Sequence, residues 1–128
     1  MNNVDVIKHL YQAFAEGDLD TVGSLIDPNV EWIESEGIPY GGVFIGYEAV
    51  LNGVFASIGS EWDNFKARID QFIDAGDIVI TLGTDSGTYK PTGKSMQAPT
   101  ASIWTLKGGK VIKFRQYIDT LAVFKATK

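Results

Sequence analysis

Apolar residues recur at two periods along this chain, and the change of period divides it. Over residues 4–15, Ile7, Leu10, Tyr11 and Phe14 share one face at helical spacing. Gly17 comes next, suited to a left-handed C-terminal cap. Asp18 predicts the N-cap of a second, short helix through Leu19, Val22, Leu25 and Ile26, stopped by Asp27-Pro28. Val30 to Ser35 reads as the first strand, with Val30, Trp32 and Glu34 on one face. A glycine-rich loop then runs to Gly46. Beyond it, positions 47, 50, 51, 54, 55 and 58 fit the helical template again.

From Phe65 the period falls to two: Phe65, Ala67, Ile69 and Ile73 alternate with Lys66, Arg68, Asp70 and Asp74. Three turn signals punctuate the remainder of the chain, at Ala75-Gly76-Asp77, Pro91-Thr92-Gly93-Lys94 and Lys107-Gly108-Gly109-Lys110. They predict an antiparallel meander whose strands are about twice the usual ~5–6 residues, long enough to require twisting or bending. Gly83, Gly87 and Pro99 are the expected bend or bulge points. Helices with single apolar stripes need a common surface, so the expected fold is α+β, with N-terminal helices laid into a curved, mainly antiparallel sheet. One domain should span residues 1–128.

Composition narrows the function. Of the 128 residues, 45% are hydrophobic and 21% charged, which describes a packed globular core rather than a disordered chain. With a net charge of −5 and scattered Lys and Arg, no nucleic-acid partner is expected. Without cysteine there is no disulfide, thiolate nucleophile or thiolate metal site. The start lacks a basic stretch followed by an apolar run, and nothing approaches about 18 continuous apolar residues, so a cytoplasmic protein with no membrane partner is expected. His9, the single histidine, lies off the first helical stripe and predicts neither a base nor a metal site. No Gly-x-Gly-x-x-Gly or Walker pattern occurs, so any chemistry is expected to need no cofactor.

Several motifs together carry a resemblance. These are the helix–Gly17-Asp18-Leu19-Asp20–helix unit, Val30-Glu31-Trp32, Pro39-Tyr40-Gly41-Gly42 leading to Gly46-Tyr47-Glu48-Ala49-Val50, and the closing run Ile103-Trp104 through Asp119. The chain resembles the SnoaL-like branch of the nuclear transport factor 2 (NTF2-like) superfamily, which includes ketosteroid isomerase relatives. That resemblance implies a cone-shaped fold with an apolar pocket, usually a homodimer, and members ranging from cyclases, isomerases, dehydratases and hydrolases to non-catalytic binding proteins. It places Glu34 near the isomerase's aspartate base. The isomerase's oxyanion tyrosine would fall near Leu10, beside Tyr11, and its protonated aspartate near Ala101. Losing such donors typically costs ~10²–10³ in rate each, so authentic steroid isomerisation is not expected. Ile33 and Ser102 stand where similar proteins often carry histidines.

Two carboxylates are the catalytic candidates. Glu34, among aromatics, is a candidate general acid or base; the alternative is a solvated strand-end residue beside Glu31 and Glu36. Asp119 matches the late aspartate that the resemblance assigns to SnoaL-type cyclases, and also reads as an N-cap opening a terminal helix. Tyr11, Trp32, Tyr40, Phe55, Phe114, Gln116 and Ile118 are candidates for lining the ligand site, with core packing the alternative for the rings and backbone satisfaction for Gln116. Trp104, Arg115 and Tyr117, with Thr100, Ser102 and Lys113, are expected on the opposite face of the last hairpin, forming a sheet-to-sheet homodimer interface. The expected partner is a small or medium apolar molecule, either transformed by acid/base chemistry or simply bound.

Overall fold

Asn2 opens the first helix by accepting the Asp5 amide hydrogen, and α1 (Asn3–Ala15) buries Val6, Ile7, Leu10 and Ala13. Gly17, at φ +72°, ends it in the left-handed conformation its sequence position predicts. Asp18 caps α2 (Leu19–Ser24) by accepting from the Thr21 amide. This computed structural model describes residues 1–128.

The sheet has six strands: β1 (Ile26–Glu34), β2 (Gly42–Ile45), β3 (Trp62–Ala75), β4 (Ile78–Tyr89), β5 (Lys94–Lys107) and β6 (Lys110–Ile118). Their order is β2-β1-β6-β5-β4-β3, antiparallel except for the β1–β6 pair. The three turn signals each join consecutive strands as expected. Between β2 and β3 the chain is helical throughout: α3 (Tyr47–Val50), a π-helical turn (Leu51–Phe55) and α4 (Ala56–Glu61). A last helix, α5 (Thr120–Ala126), comes after β6. No helix is long and apolar enough to cross a membrane.

Three local expectations are corrected. Leu25 and Ile26 do not continue the second helix; β1 begins at Ile26, and Pro28 lies where its register with β6 shifts between Ile26 and Glu31. Proline, lacking an N–H, is tolerated in a strand at such a break in the ladder. The glycine-rich loop contains a short edge strand, β2, whose Phe44 lies opposite Trp32.

The third correction concerns Trp104. Continuing the pairing Lys107↔Lys110 and Leu106↔Val111 unbroken would set Trp104 against Lys113. An extra residue on β6, Ile112, shifts the register by one, so Trp104 lies opposite Phe114, Ser102 opposite Gln116 and Thr100 opposite Ile118. The bulge turns over β6, while β5 alternates without a break. Thr100, Ser102 and Trp104 share the buried parity of Leu106 on the concave face, and Trp104 belongs to the core rather than to an interface.

Lys113, Arg115 and Tyr117 stay outside. Arg115 lies in a register row that crosses the whole outer face: Ile73, Ile80, Ile103, Arg115, Ile33, Val43. Every member except Arg115 is aliphatic.

Candidate functional site

Alternation along β1 puts Val30, Trp32 and Glu34 on the concave face, all buried. The same parity on β4 brings Thr81 and Asp85 inward, and on β6 Phe114 and Gln116. Leu10, Tyr11 and Phe14 enter from α1, and Val54, Phe55 and Ile58 from the π-turn and α4. Together with Tyr40, Phe65, Ala67 and Trp104 they line a cavity of about 50 Å³. One water needs ~10–15 Å³ on this measure, so there is room for a few non-hydrogen atoms.

Rings set its shape. Trp32 stacks on Phe114 with centroids 4.0 Å apart, and meets Phe55 and Trp104 edge-on at 5.7 and 5.6 Å. Trp104 donates its indole N–H to Thr81 Oγ1 at 3.2 Å, and Thr81 Oγ1 in turn lies 3.1 Å from the Tyr11 hydroxyl. This network anchors two cavity rings to β4.

The polar groups are few and unusually placed. Trp32 Nε1–H donates to Glu34 Oε1 at 3.0 Å, while Glu34 Oε2 has no partner. The Tyr40 hydroxyl and Gln116 Oε1 are likewise buried and unpartnered. Burial raises the Glu34 carboxyl to about 8, against the Trp32 hydrogen bond and with help from the Asp85 charge. Burial also raises Asp85 to about 7, with the Gln116 side chain opposing. Tyr11 and Tyr40 are pushed up, first by burial and then, in both, by the Asp85 charge among the raising influences. The cavity thus holds two carboxyl groups that keep protons into the neutral range, beside unpaired oxygens.

Glu34, Tyr11, Trp32, Tyr40, Phe55, Phe114 and Gln116, all singled out from sequence, converge on this cavity. Ile118 shares their sheet face and is buried, but does not line it. Asp119 lies outside: it is exposed and its Oδ1 accepts the Ala122 amide hydrogen at 3.1 Å, capping α5. The cap alternative describes its position, and it is not among the groups that could touch a ligand in this cavity. Arg115 and Tyr117 lie on the outer surface, the guanidinium 5.1 Å from the Tyr117 ring centroid. Asp85 was not foreseen; its only sequence signal is being in phase with the buried Val79 on β4. No three His, Asp or Glu side chains come together to hold a metal ion.

A curved sheet holding helices and a polar-tipped aromatic cavity in its concavity defines the NTF2-like class of α+β proteins. The SnoaL-like domain family model matches residues 7–114, and the chain belongs to that family. An NTF2-like protein from Burkholderia thailandensis is similar over 100% of this chain and 98% of its own, at 34% identity and a TM-score of 0.96. An NTF2-like protein of unknown function from Burkholderia pseudomallei is 26% identical, covering 98% of this chain and 97% of its own, with a TM-score of 0.90. A protein of unknown function with a cystatin-like fold from Xanthomonas campestris shares the fold at 23% identity and a TM-score of 0.83, covering 97% of this chain and 98% of its own. No curated protein matches the chain.

Proposed function

We propose that the chain binds a small organic molecule with an apolar body in the Glu34–Asp85 cavity and exchanges a proton with it. One observation carries this reading. Glu34 and Asp85, buried on separate strands, line one cavity where Glu34 Oε2, the Tyr40 hydroxyl and Gln116 Oε1 lack partners. Buried polar atoms are rarely left unpaired in a protein, and a ligand would supply what they lack. Burial holds both carboxyl groups above the usual carboxylate range, Glu34 to about 8 and Asp85 to about 7. Near neutral pH one member of the pair serves as the base and the other as the acid that donates a hydrogen bond or proton. No cofactor is required for such a step, which suits isomerisation, cyclisation, dehydration or hydrolysis.

The rival reading is binding without reaction, favoured by the 12 hydrophobic residues among the 15 that line the cavity. Fragment binding followed by NMR in D₂O separates the two, with binding read from the Trp32 and Trp104 indole signals and catalysis from deuterium entering a bound carbonyl compound. Catalysis predicts that Asp85→Asn slows exchange at least tenfold while binding persists. Binding with no exchange above the buffer rate leaves the rival reading.

The proposal includes a homodimer formed by the outer sheet face. Val43, Ile45 and Tyr117 are 62%, 65% and 51% exposed there, and the aliphatic row through Ile80, Ile103 and Ile33 joins them. A continuous apolar stripe broken by one arginine stacked on a tyrosine suits a self-complementary interface.

A further inference from the structure

We infer that the ligand of this cavity is a small organic cation, a protonated or quaternary amine, an inference that rests on the cavity being a small-molecule site. Charge is the first ground. Glu34 from β1 and Asp85 from β4 line the cavity, and no Lys, Arg or His does. The other titratable groups facing them are Tyr11 from α1 and Tyr40 from the 35–41 loop, both acids in their own right.

The orphaned atoms are the second ground. Glu34 is 4% exposed, yet its Oε2 has no partner, and Gln116 Oε1 next along the wall can only accept. The wall therefore carries no positive charge, and two of its buried oxygens await a donor. A cation supplies the charge, and an alkylammonium N–H supplies a donor as well. An acceptor-only neutral ligand leaves Gln116 Oε1 as it is.

The third ground is the lining itself. Tyr11, Trp32, Tyr40, Phe55, Trp104 and Phe114 surround the carboxyl groups. Ring faces attract alkylammonium ions within about 6 Å, and more strongly once water is excluded. The cavity of about 50 Å³ suits a cation of few atoms. Binding such an ion favours the charged form of the carboxyl pair, and one positive charge takes the place of one proton, so a proton leaves the protein as the cation enters. The balance is simple: one carboxyl proton passes to solvent and the cation takes up its electrostatic role.

Tetramethylammonium and tert-butanol test this on the intact protein, being similar in size and different in charge. Binding is followed by the Trp32 and Trp104 indole signals from about pH 6 to about pH 9. The expected result is tetramethylammonium binding that tightens at least tenfold over that interval, with tert-butanol binding flat. Glu34→Gln combined with Asp85→Asn should weaken tetramethylammonium at least tenfold and spare tert-butanol; if that variant does not fold, the pH series on the unaltered chain decides. Cation binding no tighter than tert-butanol at the alkaline end, or independent of pH, overturns the inference. If tert-butanol alone binds, the small-molecule site stands and the cation does not. If neither binds, both fall.

Discussion

Trp32 donates its indole N–H to Glu34, the residue two further along the same strand face, at 3.0 Å. The contact joins the ring that stacks on Phe114 to the carboxyl group most strongly affected by burial in the cavity. A strand makes it local: i and i+2 point the same way. One hydrogen bond on Oε1 leaves Oε2 free for a ligand. Trp32→Phe removes this donor while keeping a ring, so Glu34 should titrate still higher than about 8, read by carboxyl NMR.

Stability should fall as pH rises through the neutral range. Glu34 and Asp85 hold their protons to about 8 and about 7 when folded, and return to ordinary carboxylate behaviour on unfolding. The folded state therefore binds more protons between roughly pH 4 and the folded values. Its advantage is full below that interval and is lost at on the order of 1.4 kcal/mol per pH unit per group. Melting temperature should drop between about pH 5 and about pH 8, and Glu34→Gln with Asp85→Asn should flatten the profile. Asp18, lowered first by its hydrogen bond from the Thr21 side chain, acts in the opposite sense, its contribution being lost on acidification.

Gly83 lies between Thr81 and Asp85 on the inner face of β4, opposite Ile69, where β3 bulges before Gln71. A methyl group there would be driven into the Arg68 carbonyl, which is backbone and cannot swing aside. Gly83→Ala should cost about 1–3 kcal/mol or more, seen as a lower denaturation midpoint.

Asp119→Ala removes the α5 cap and should cost about 1 kcal/mol. Ligand binding and any exchange activity should be unchanged, since Asp119 does not line the cavity. A large loss of activity with the fold intact would restore the catalytic reading.

Ile103→Lys places a charge in the aliphatic row of the outer face, next to Arg115. In sedimentation at micromolar concentration the unaltered chain should run as a dimer and this variant as a monomer. A monomeric unaltered chain would remove the dimer from the account.

The α+β architecture was legible because three signals agree: helical stripes before residue 60, alternation after it, and glycine turns between strands. Val30, Trp32 and Glu34 were placed together by parity alone. Trp104 was not, because the register counted from the Gly108-Gly109 turn pairs it with Lys113, and the extra residue on β6, Ile112, that pairs it with Phe114 instead has no glycine or proline to announce it. Asp85 escaped for a different reason. On β4 the more apolar set, Ile78, Ile80 and Leu82, faces outward, while the cavity side carries Thr81, Gly83, Asp85 and Gly87. Hydrophobic patterning points the wrong way when the outer face is itself apolar and the inner face serves a polar-tipped cavity. β2 escaped because four residues, the first of them the second glycine of Gly41-Gly42, present too little pattern.

Carboxyl NMR across a pH titration tests the central claim most directly: that Glu34 and Asp85 form a buried, proton-holding pair facing one cavity. Two side-chain carboxyl resonances, assigned to Asp85 and Glu34, should titrate near about 7 and about 8, and both should move down when a bound cation enters. Ordinary carboxylate titration for both, near about 4, would contradict the account, because neither group would then be held in its protonated form at neutral pH.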